Sequence, residues 1–402
     1  MRRMSFAPGW SIVAFWFYDD WGQFGRMYEN VVLELARRSE VARVVLLFPP
    51  RAAAPGESGG WEVRRVGEKL TLLTELEAPS PSHDAGGSRL AGWLGRWRSR
   101  TALRRLLRRE GFRRQSTIAW FFPPHPYIDH LREAVPVRFT VSQMVDDFTQ
   151  FDPEHFVHRF ALDQYPEIPR WSDLILTSSE ANFEKWSGTG VPCMRLDPGV
   201  SAPFLAAPGP LPHRVHGGPP RLGYVGFIME RTDLDLLVDL AGRHPDWRIV
   251  LVGPEYPWGI LARSGLLAFA NVEYGGLLAH ERVPAFLQTV DVCLIPHRDD
   301  GFSRSMSPLK LLQYLASGRP VVSTAVAGLE HAADHISIAR DREEFERMVA
   351  DALESDTPSR SAKRIEAARA QTWDLSTREP FDRILGSPAR SFGIFSAHWR
   401  GR

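Results

Sequence analysis

The apolar positions of this chain alternate between short continuous runs and longer stretches repeating at helical spacing. "SIVAFWFY" reads as a strand, "GRMYENVVLELARRS" as a helix and "VARVVLLFPP" as the next strand, which makes a βαβ unit. "TIAWFFPP", "VRFTVSQMV" and "LILTSS" are apolar runs of the kind that form buried parallel strands. From Arg51 to Ser88 the composition turns polar and rich in Pro, Gly and Ser, which predicts one weak strand at "WEVRRV" and a long mobile loop. "SAPFLAAPGPLPHRVHGGPP", residues 201–220, has no period and reads as a linker. The alternation then restarts with "RLGYVGF", "TDLDLLVDLAGRH", "WRIVLVGP", "NVEYGG", "DVCLIPH" and "PVVST", and ends in a charged helical stretch. The pattern predicts an α/β protein of two Rossmann-like, doubly wound domains facing a central cleft, with ligands at the carboxyl ends of the strands. The expected division is 1–200, a linker at 201–220, 221–385, and a tail at 386–402.

The length, 402 residues, suits two domains, and 49 basic against 48 acidic side chains predict no partner from overall charge. Two cysteines far apart, Cys193 and Cys293, argue against a disulfide framework and for a reducing cytoplasm. Arg2 and Arg3 precede an apolar stretch as in a signal peptide, but Pro8 and Gly9 interrupt it, so a buried first strand is the expectation. No uncharged run reaches the ~20 residues of a membrane-spanning helix. A soluble or peripheral protein is expected.

The chemistry concentrates at chain positions where strands end. In "MSPLKLLQYLASGRPVVST" Ser307 suits an N-cap, Pro308 the first helical position and Gly318 the stop. Lys310 then falls in the first turn, where the helix dipole is already positive. It makes sense if an anion binds there, phosphate above all, or if the side chain points to solvent or pairs with Asp299 or Asp300. "GYVGFIMERTDLDLL" brackets a strand end with Gly223 and Gly226. Glu230 and Arg231 follow, and the arginine suits either a diphosphate or a surface ion pair. In the first half, Gln23 and Arg26 of "YDDWGQFGR" sit at a helix start, suited to a sugar or phosphate or to a plain capped loop. Asp146 and Asp147 of "SQMVDDFTQF" could hold sugar hydroxyls, act as a general base, or cap the next helix. His125 of "FFPPHPY" marks a third strand end, where a histidine is catalytic or structural.

Between Arg89 and Arg114 stand ten arginines and one glutamate. Leu103, Leu106 and Leu107 share one side of a helix, with Arg104, Arg105, Arg108 and Arg109 on the other. Such a helix either lies on an anionic membrane or packs its leucines inward. No nucleic-acid fold pattern accompanies it, and no convincing metal-ligand spacing occurs.

Taken in order, "LTSSEANFEKW", "RLDPGVSAPF", "GYVGF…ER", "HPDWRIVLVGP", "NVEYGGLLAHERVPAFLQTVDVCLIP" and "SPLKLLQYLASGRPVVST" resemble the GT-B glycosyltransferases of the large retaining family 4. The "PLK" version is similar to a subgroup acting in bacterial cell-surface polysaccharide synthesis. The resemblance implies a GT-B fold. It also implies that Arg231 and Lys310, supported by the N–H groups of Met306 and Ser307, hold a donor diphosphate, with Gly226, Glu230 and Ser305 also on the donor-binding side. Gln313 matches the family glutamate that binds the donor ribose. Eight residues earlier, where the family often has a second acid near the sugar, stands Ser305. Asp146 and Asp147 resemble the subgroup's acidic stretch, and the family often has a histidine near the donor sugar, here matched to His125. The implied acceptor side contains Gln23 and Arg26.

The implied function is transfer of a sugar from a nucleoside diphosphate sugar to a hydroxyl of a glycan, lipid-linked glycan or small-molecule acceptor, with retention and without metal or other cofactor. The alternatives are a nucleotide-sugar 2-epimerase on the same fold and a non-catalytic nucleotide- or glycan-binding protein. A cytoplasmic place is expected, with the arginine helix as a candidate contact to the inner membrane face.

Overall fold

The computed structural model describes residues 9–18, 20–54, 60–77, 100–135, 137–206, 217–307, 309–326 and 328–386. Among them, the first half forms a nine-stranded sheet. Its strands are β1 (Trp10–Phe15), β2 (Val41–Leu47), β3 (Arg51–Ala52), β4 (Gly60–Val66), β5 (Leu70–Glu77), β6 (Thr117–Phe121), β7 (Phe139–Met144), β8 (Leu174–Thr177) and β9 (Cys193–Arg195). The order is β3-β5-β2-β1-β6-β7-β8-β9, and all pairs along it are parallel. β4 pairs antiparallel with β5. Val13 pairs with Val45 on one side and Ala119 on the other, so β1 is central in the sheet; Ile12, Val13, Ala14 and Phe15 are all buried, so both its faces are covered and its apolar run has no polar alternation.

The second sheet has six parallel strands: β10 (Arg221–Val225), β11 (Arg248–Val252), β12 (Val272–Tyr274), β13 (Val292–Ile295), β14 (Val321–Thr324) and β15 (Ser337–Ala339), in the order β12-β11-β10-β13-β14-β15. Each sheet reverses its winding beside its first strand, at β1/β6 and at β10/β13. A crevice opens at such a reversal, on the carboxyl-end side.

Three features differ from the pattern-based expectation. Leu70–Glu77, inside the span expected to be a mobile loop, is the strand β5, with Leu70, Leu72 and Leu73 buried. Its backbone is satisfied by β2 and by β4, partners that local composition does not reveal. Second, the helix Trp373–Leu385 returns to the first sheet, where Trp373, Phe381, Ile384 and Leu385 join its core. The Trp10 indole donates to Leu385 O at 3.0 Å. The span 221–385 is therefore not one packing unit, because helical period shows an apolar side but not which core receives it. Third, the helical stretch at 100–109 buries Leu103 and Leu107 in the core that β1 and β6 share. Leu106 packs against that core, and Arg104 donates to Ala134 O at 3.0 Å. The leucine side is thus occupied and unavailable to a bilayer, while Arg105, Arg108 and Arg109 stay exposed. No helix among the described residues is long and apolar enough to cross a membrane. Cys193 and Cys293 are buried free thiols.

The helix Leu309–Ser317 fixes the element that matters most. Leu311, Leu312, Tyr314 and Leu315 are buried, each apolar side chain worth ~1.5–3 kcal/mol of burial. The helix stops at Gly318, whose φ of +75° is costly for other residues. Arg364 caps this negative end, donating to Gly318 O at 3.0 and 2.8 Å while pairing with Asp356 at 2.6 Å.

Candidate active site

The carboxyl ends of both sheets open into one cavity of about 590 Å³. From the first sheet come Trp16, Tyr18, Arg26 and Asp146; from the second come Gly226, Arg231, Lys310 and Gln313. Trp16 and Gly226 directly follow strands and Asp146 lies just beyond β7, where the chain leaves the ladder; Tyr18 and Arg231 lie in loops, Arg26 stands at a helix start, and Lys310 and Gln313 stand on the helix Leu309–Ser317.

Lys310 neither points to solvent nor pairs with Asp299 or Asp300. Asp299 takes Arg304 at 2.8 and 2.9 Å, and Asp300 caps its own short helix by accepting from Ser303 N–H at 2.7 Å. Lys310 Nζ turns into the cavity, donates to Tyr224 Oη at 2.9 Å and to His297 Nε2 at 3.2 Å, and lies 4.0 Å from the Tyr224 ring centroid. Burial holds the Lys310 ammonium well below its ordinary range, and Arg231 adds to the effect. Burial, then Lys310 and Arg231, push His297 well below its ordinary value, so its imidazole is neutral and can accept the lysine's hydrogen bond. Room for the lysine comes from Gly226: a Cβ there would meet Lys310 Nζ at 2.9 Å, and its φ is +136°.

Arg231 is the second cation. Its guanidinium carbon lies 5.7 Å from the Phe302 ring centroid and its Nη1 is 2.6 Å from Met306 Sδ, while its Nε is buried without a partner. Among the described residues no carboxylate forms an ion pair with Arg231 or Lys310. Two cations thus share a buried site with unused donors, an arrangement that favours an anion. The first-turn N–H groups of the Leu309–Ser317 helix add partial positive charge on the same side. Gln313 is half-buried on this helix, lines the cavity and makes no hydrogen bond to described residues.

Asp146 and Asp20 are the carboxyls at the cavity wall. Burial pushes Asp146 up to about 6, against the downward pull of Arg231 and Arg26, with Asp147 pushing it up further. Arg26 is already engaged: it pairs with Asp20, whose carboxylate also accepts from the Trp16 indole at 3.0 Å and Tyr28 Oη at 2.8 Å. Gln23 lines the mouth and is exposed.

Several residues singled out in the sequence lie elsewhere. Asp147 does not line the cavity; it caps the following turn through Thr149 and pairs with Lys185 at 2.6 Å. His125 is buried outside the lining, its Nδ1 accepting from Tyr127 N–H at 3.1 Å, and burial pushes it down to about 4. Glu230 is exposed and also outside the lining. Met306 lines the cavity, but its N–H is spent on Ser303 O at 3.2 Å. Ser307 lines the cavity too, whereas Pro308, the expected first helical residue, lies outside the described residues. Sequence reasoning missed His297, Tyr224 and the aromatic wall. "IPH" at the end of β13 was the available signal for the histidine.

Ser305 fastens the two sheets together. Its Oγ accepts from Asp147 N–H at 3.0 Å and donates to Phe302 O at 2.8 Å. Its carbonyl accepts from Ser179 Oγ at 2.6 Å and Asn182 Nδ2 at 3.2 Å. An acid side chain here would lose this seat. Ser305→Ala leaves the buried Asp147 N–H without its acceptor and is expected to cost about 1–3 kcal/mol, measured as a lower urea midpoint. Ser305→Glu should destabilise further and should not improve donor use. A Glu variant of wild-type stability with better turnover would contradict the fastening role.

Among the described residues no cluster of His, Cys, Asp and Glu could hold a metal ion. The arrangement can bind an anion between Lys310 and Arg231 and present a hydroxyl to Asp146.

Two parallel sheets facing one cavity with their carboxyl ends define the GT-B fold, the class to which solved relatives of this shape belong. Residues 219–355 match the family model described as Glycosyl transferases group 1. TuaH of Bacillus subtilis (strain 168), a glycosyltransferase assigned to teichuronic acid biosynthesis, is 32% identical over 103 residues; the match spans 26% of this chain and 26% of TuaH. Sucrose-phosphate synthase from Thermosynechococcus elongatus superposes over 94% of this chain and 100% of its own, with a TM-score of 0.67 at 14% identity. An α,α-trehalose-phosphate synthase (UDP-forming) from Burkholderia vietnamiensis gives 0.65 at 17% identity over 96% and 99%. WaaG, a glycosyltransferase involved in lipopolysaccharide biosynthesis, gives 0.59 at 16% identity over 94% and 100%. At these identities the solved structures carry the fold.

Proposed function

We propose that this chain transfers a sugar from a nucleoside diphosphate sugar to the hydroxyl of an acceptor. The observation that carries the reading is the pair Arg231 and Lys310, which line the cavity and form no ion pair with a carboxylate among the described residues. The donor diphosphate supplies the missing negative charge. As the bond from the anomeric carbon to the diphosphate breaks, its electron pair leaves with the diphosphate. Both cations and the helix start stabilise that charge in place of a metal. The acceptor oxygen bonds to the anomeric carbon, oriented by a hydrogen bond to the Asp146 carboxylate. The course proposed is retention, following the family resemblance, with the hydroxyl proton passing to the departing diphosphate. The group 1 match over 219–355 supports placing the donor on the second sheet.

Gln313 is assigned to the donor ribose, one amide group accepting and the other donating. Gln313→Ala should weaken nucleotide binding about fivefold, the ~1 kcal/mol of a neutral hydrogen bond. Gln313→Glu should bind as well as wild type or better. A flat series in a folded protein would remove the ribose from this helix.

The test of the whole reading is incubation with UDP-, GDP- and dTDP-sugars, followed by analysis of the donor. Release of nucleoside diphosphate with sugar transferred to acceptor or water is the expected result. An epimerised donor, or binding without turnover, would replace the reading with an epimerase or a binding protein.

A further inference from the structure

We infer that the acceptor is a planar, largely apolar hydroxyl compound, such as a phenol or a fused-ring alcohol, rather than a sugar, a sugar phosphate or a long-chain lipid. This rests on the glycosyl-transfer reading of the same cavity.

The first-sheet wall is aromatic. The Arg26 guanidinium carbon lies 5.0 Å from the ring centroids of both Phe24 and Phe227, 5.8 Å from Tyr18 and 6.0 Å from Trp16. Phe24 and Phe227, from the loops of the two sheets, pack against each other tilted by 55° with centroids 4.9 Å apart, so a guest meets their outer faces. Flat rings and a flat guanidinium offer stacking faces to a flat guest.

The polar groups of this wall are mostly spent on one another. Asp20 is held by Trp16, Tyr28 and Arg26; Tyr18 Oη lies 3.4 Å from His155 Nε2; Ser178 donates to Val145 O. Among the described residues, Asp146, Gln23, Tyr256 and His280 are the lining side chains around this wall with polar groups left for a substrate, and Asp146 is the one carboxyl among them. A sugar acceptor would bury several hydroxyls with too few partners, which is costly. A sugar phosphate would look for a free cation on this side, but Asp20 already neutralises Arg26. A long lipid would leave its chain outside the cavity, which also has to hold the donor. One hydroxyl at Asp146 on a flat apolar body fits each of these constraints. The step is the one proposed above: the acceptor O–H gives its oxygen to the anomeric carbon and its proton to the departing diphosphate.

The probes are 4-methylumbelliferone, glucose 6-phosphate and octyl glucoside, each titrated into the full chain, with UDP, GDP and dTDP titrated separately. 4-Methylumbelliferone should bind at least tenfold more tightly than the other two acceptor probes. Phe24→Ala and Phe227→Ala should each weaken it at least fivefold with nucleotide affinity unchanged, and Phe24→Leu, which keeps bulk but not the flat face, should weaken it too. Glucose 6-phosphate or octyl glucoside binding more tightly overturns the inference in favour of a sugar-phosphate or an amphiphilic acceptor. So does indifference of 4-methylumbelliferone to all three variants with melting temperatures intact. Nucleotides that fail to bind while 4-methylumbelliferone binds as described would instead refute the donor reading and leave the flat-ligand site standing.

Discussion

Arg231→Ala and Lys310→Ala each slow nucleotide release from bound donor sugar by about 10²–10³-fold, the scale of removing one preorganised donor from a developing charge. Both side chains hold the diphosphate in the bound donor and more strongly as it leaves, so their losses should raise the donor KM as well as lower kcat. Because they share one anion, the double variant should lose less than the product of the two single effects. A proton signature accompanies this. Burial and Arg231 hold Lys310 well below its ordinary value in the free protein. A diphosphate beside it favours the charged form, so binding takes up protons wherever the free lysine is partly deprotonated. Calorimetry in buffers of different ionisation enthalpy should show that uptake in wild type and not in Lys310→Met. Equal uptake in both would place the anion elsewhere.

Asp146→Asn has the second large effect: about 10–10²-fold in turnover, the scale of losing one charge-assisted hydrogen bond that orients the acceptor hydroxyl. The carboxyl is raised to about 6 in the free protein. It is therefore neutral below that pH and ionised above it. The rate at low donor concentration should rise with pH, with a midpoint near 6, and then level off. Arg231 pulls the Asp146 value down, and a bound diphosphate neutralises part of that pull. The kcat profile should therefore have its midpoint at a higher pH than the kcat/KM profile. In Asp146→Asn the acidic limb should vanish. The linkage also has a definite sign for stability. A carboxyl raised above its unfolded value of about 3.9 binds protons in the folded state, so its burial costs stability progressively as pH rises from about 4 to about 6, and fully above that. The Asn variant should melt no lower than wild type at pH 7.5. An acidic limb that persists in Asn, or a variant with near wild-type rate, would assign the hydroxyl to another group.

The two-sheet architecture was legible because its buried parallel strands are short apolar runs set between helical periods. Lys310 stood out because a cation in a first helical turn is locally unfavourable, and the cavity supplies the compensating context. Ser305 and Asp147 were not legible as a fastening: they lie 158 positions apart and meet only through a backbone N–H. The aromatic wall was hidden for a similar reason. Phe24 and Phe227 come from different sheets, and single aromatic residues in loops carry no period. β5 was missed because its alternation is partial and its stability comes from two neighbours on either side. The helix 373–385 showed its apolar side in sequence but not its destination.

The most direct measurement of the central claim is a crystal structure of this chain soaked with UDP, GDP and dTDP, each alone. The diphosphate should lie between Arg231 and Lys310, with a phosphate oxygen within hydrogen-bond distance of Lys310 Nζ and the ribose beside Gln313. A diphosphate bound away from both cations, or an ordered nucleotide with these side chains still turned to Tyr224 and Met306, would contradict the account.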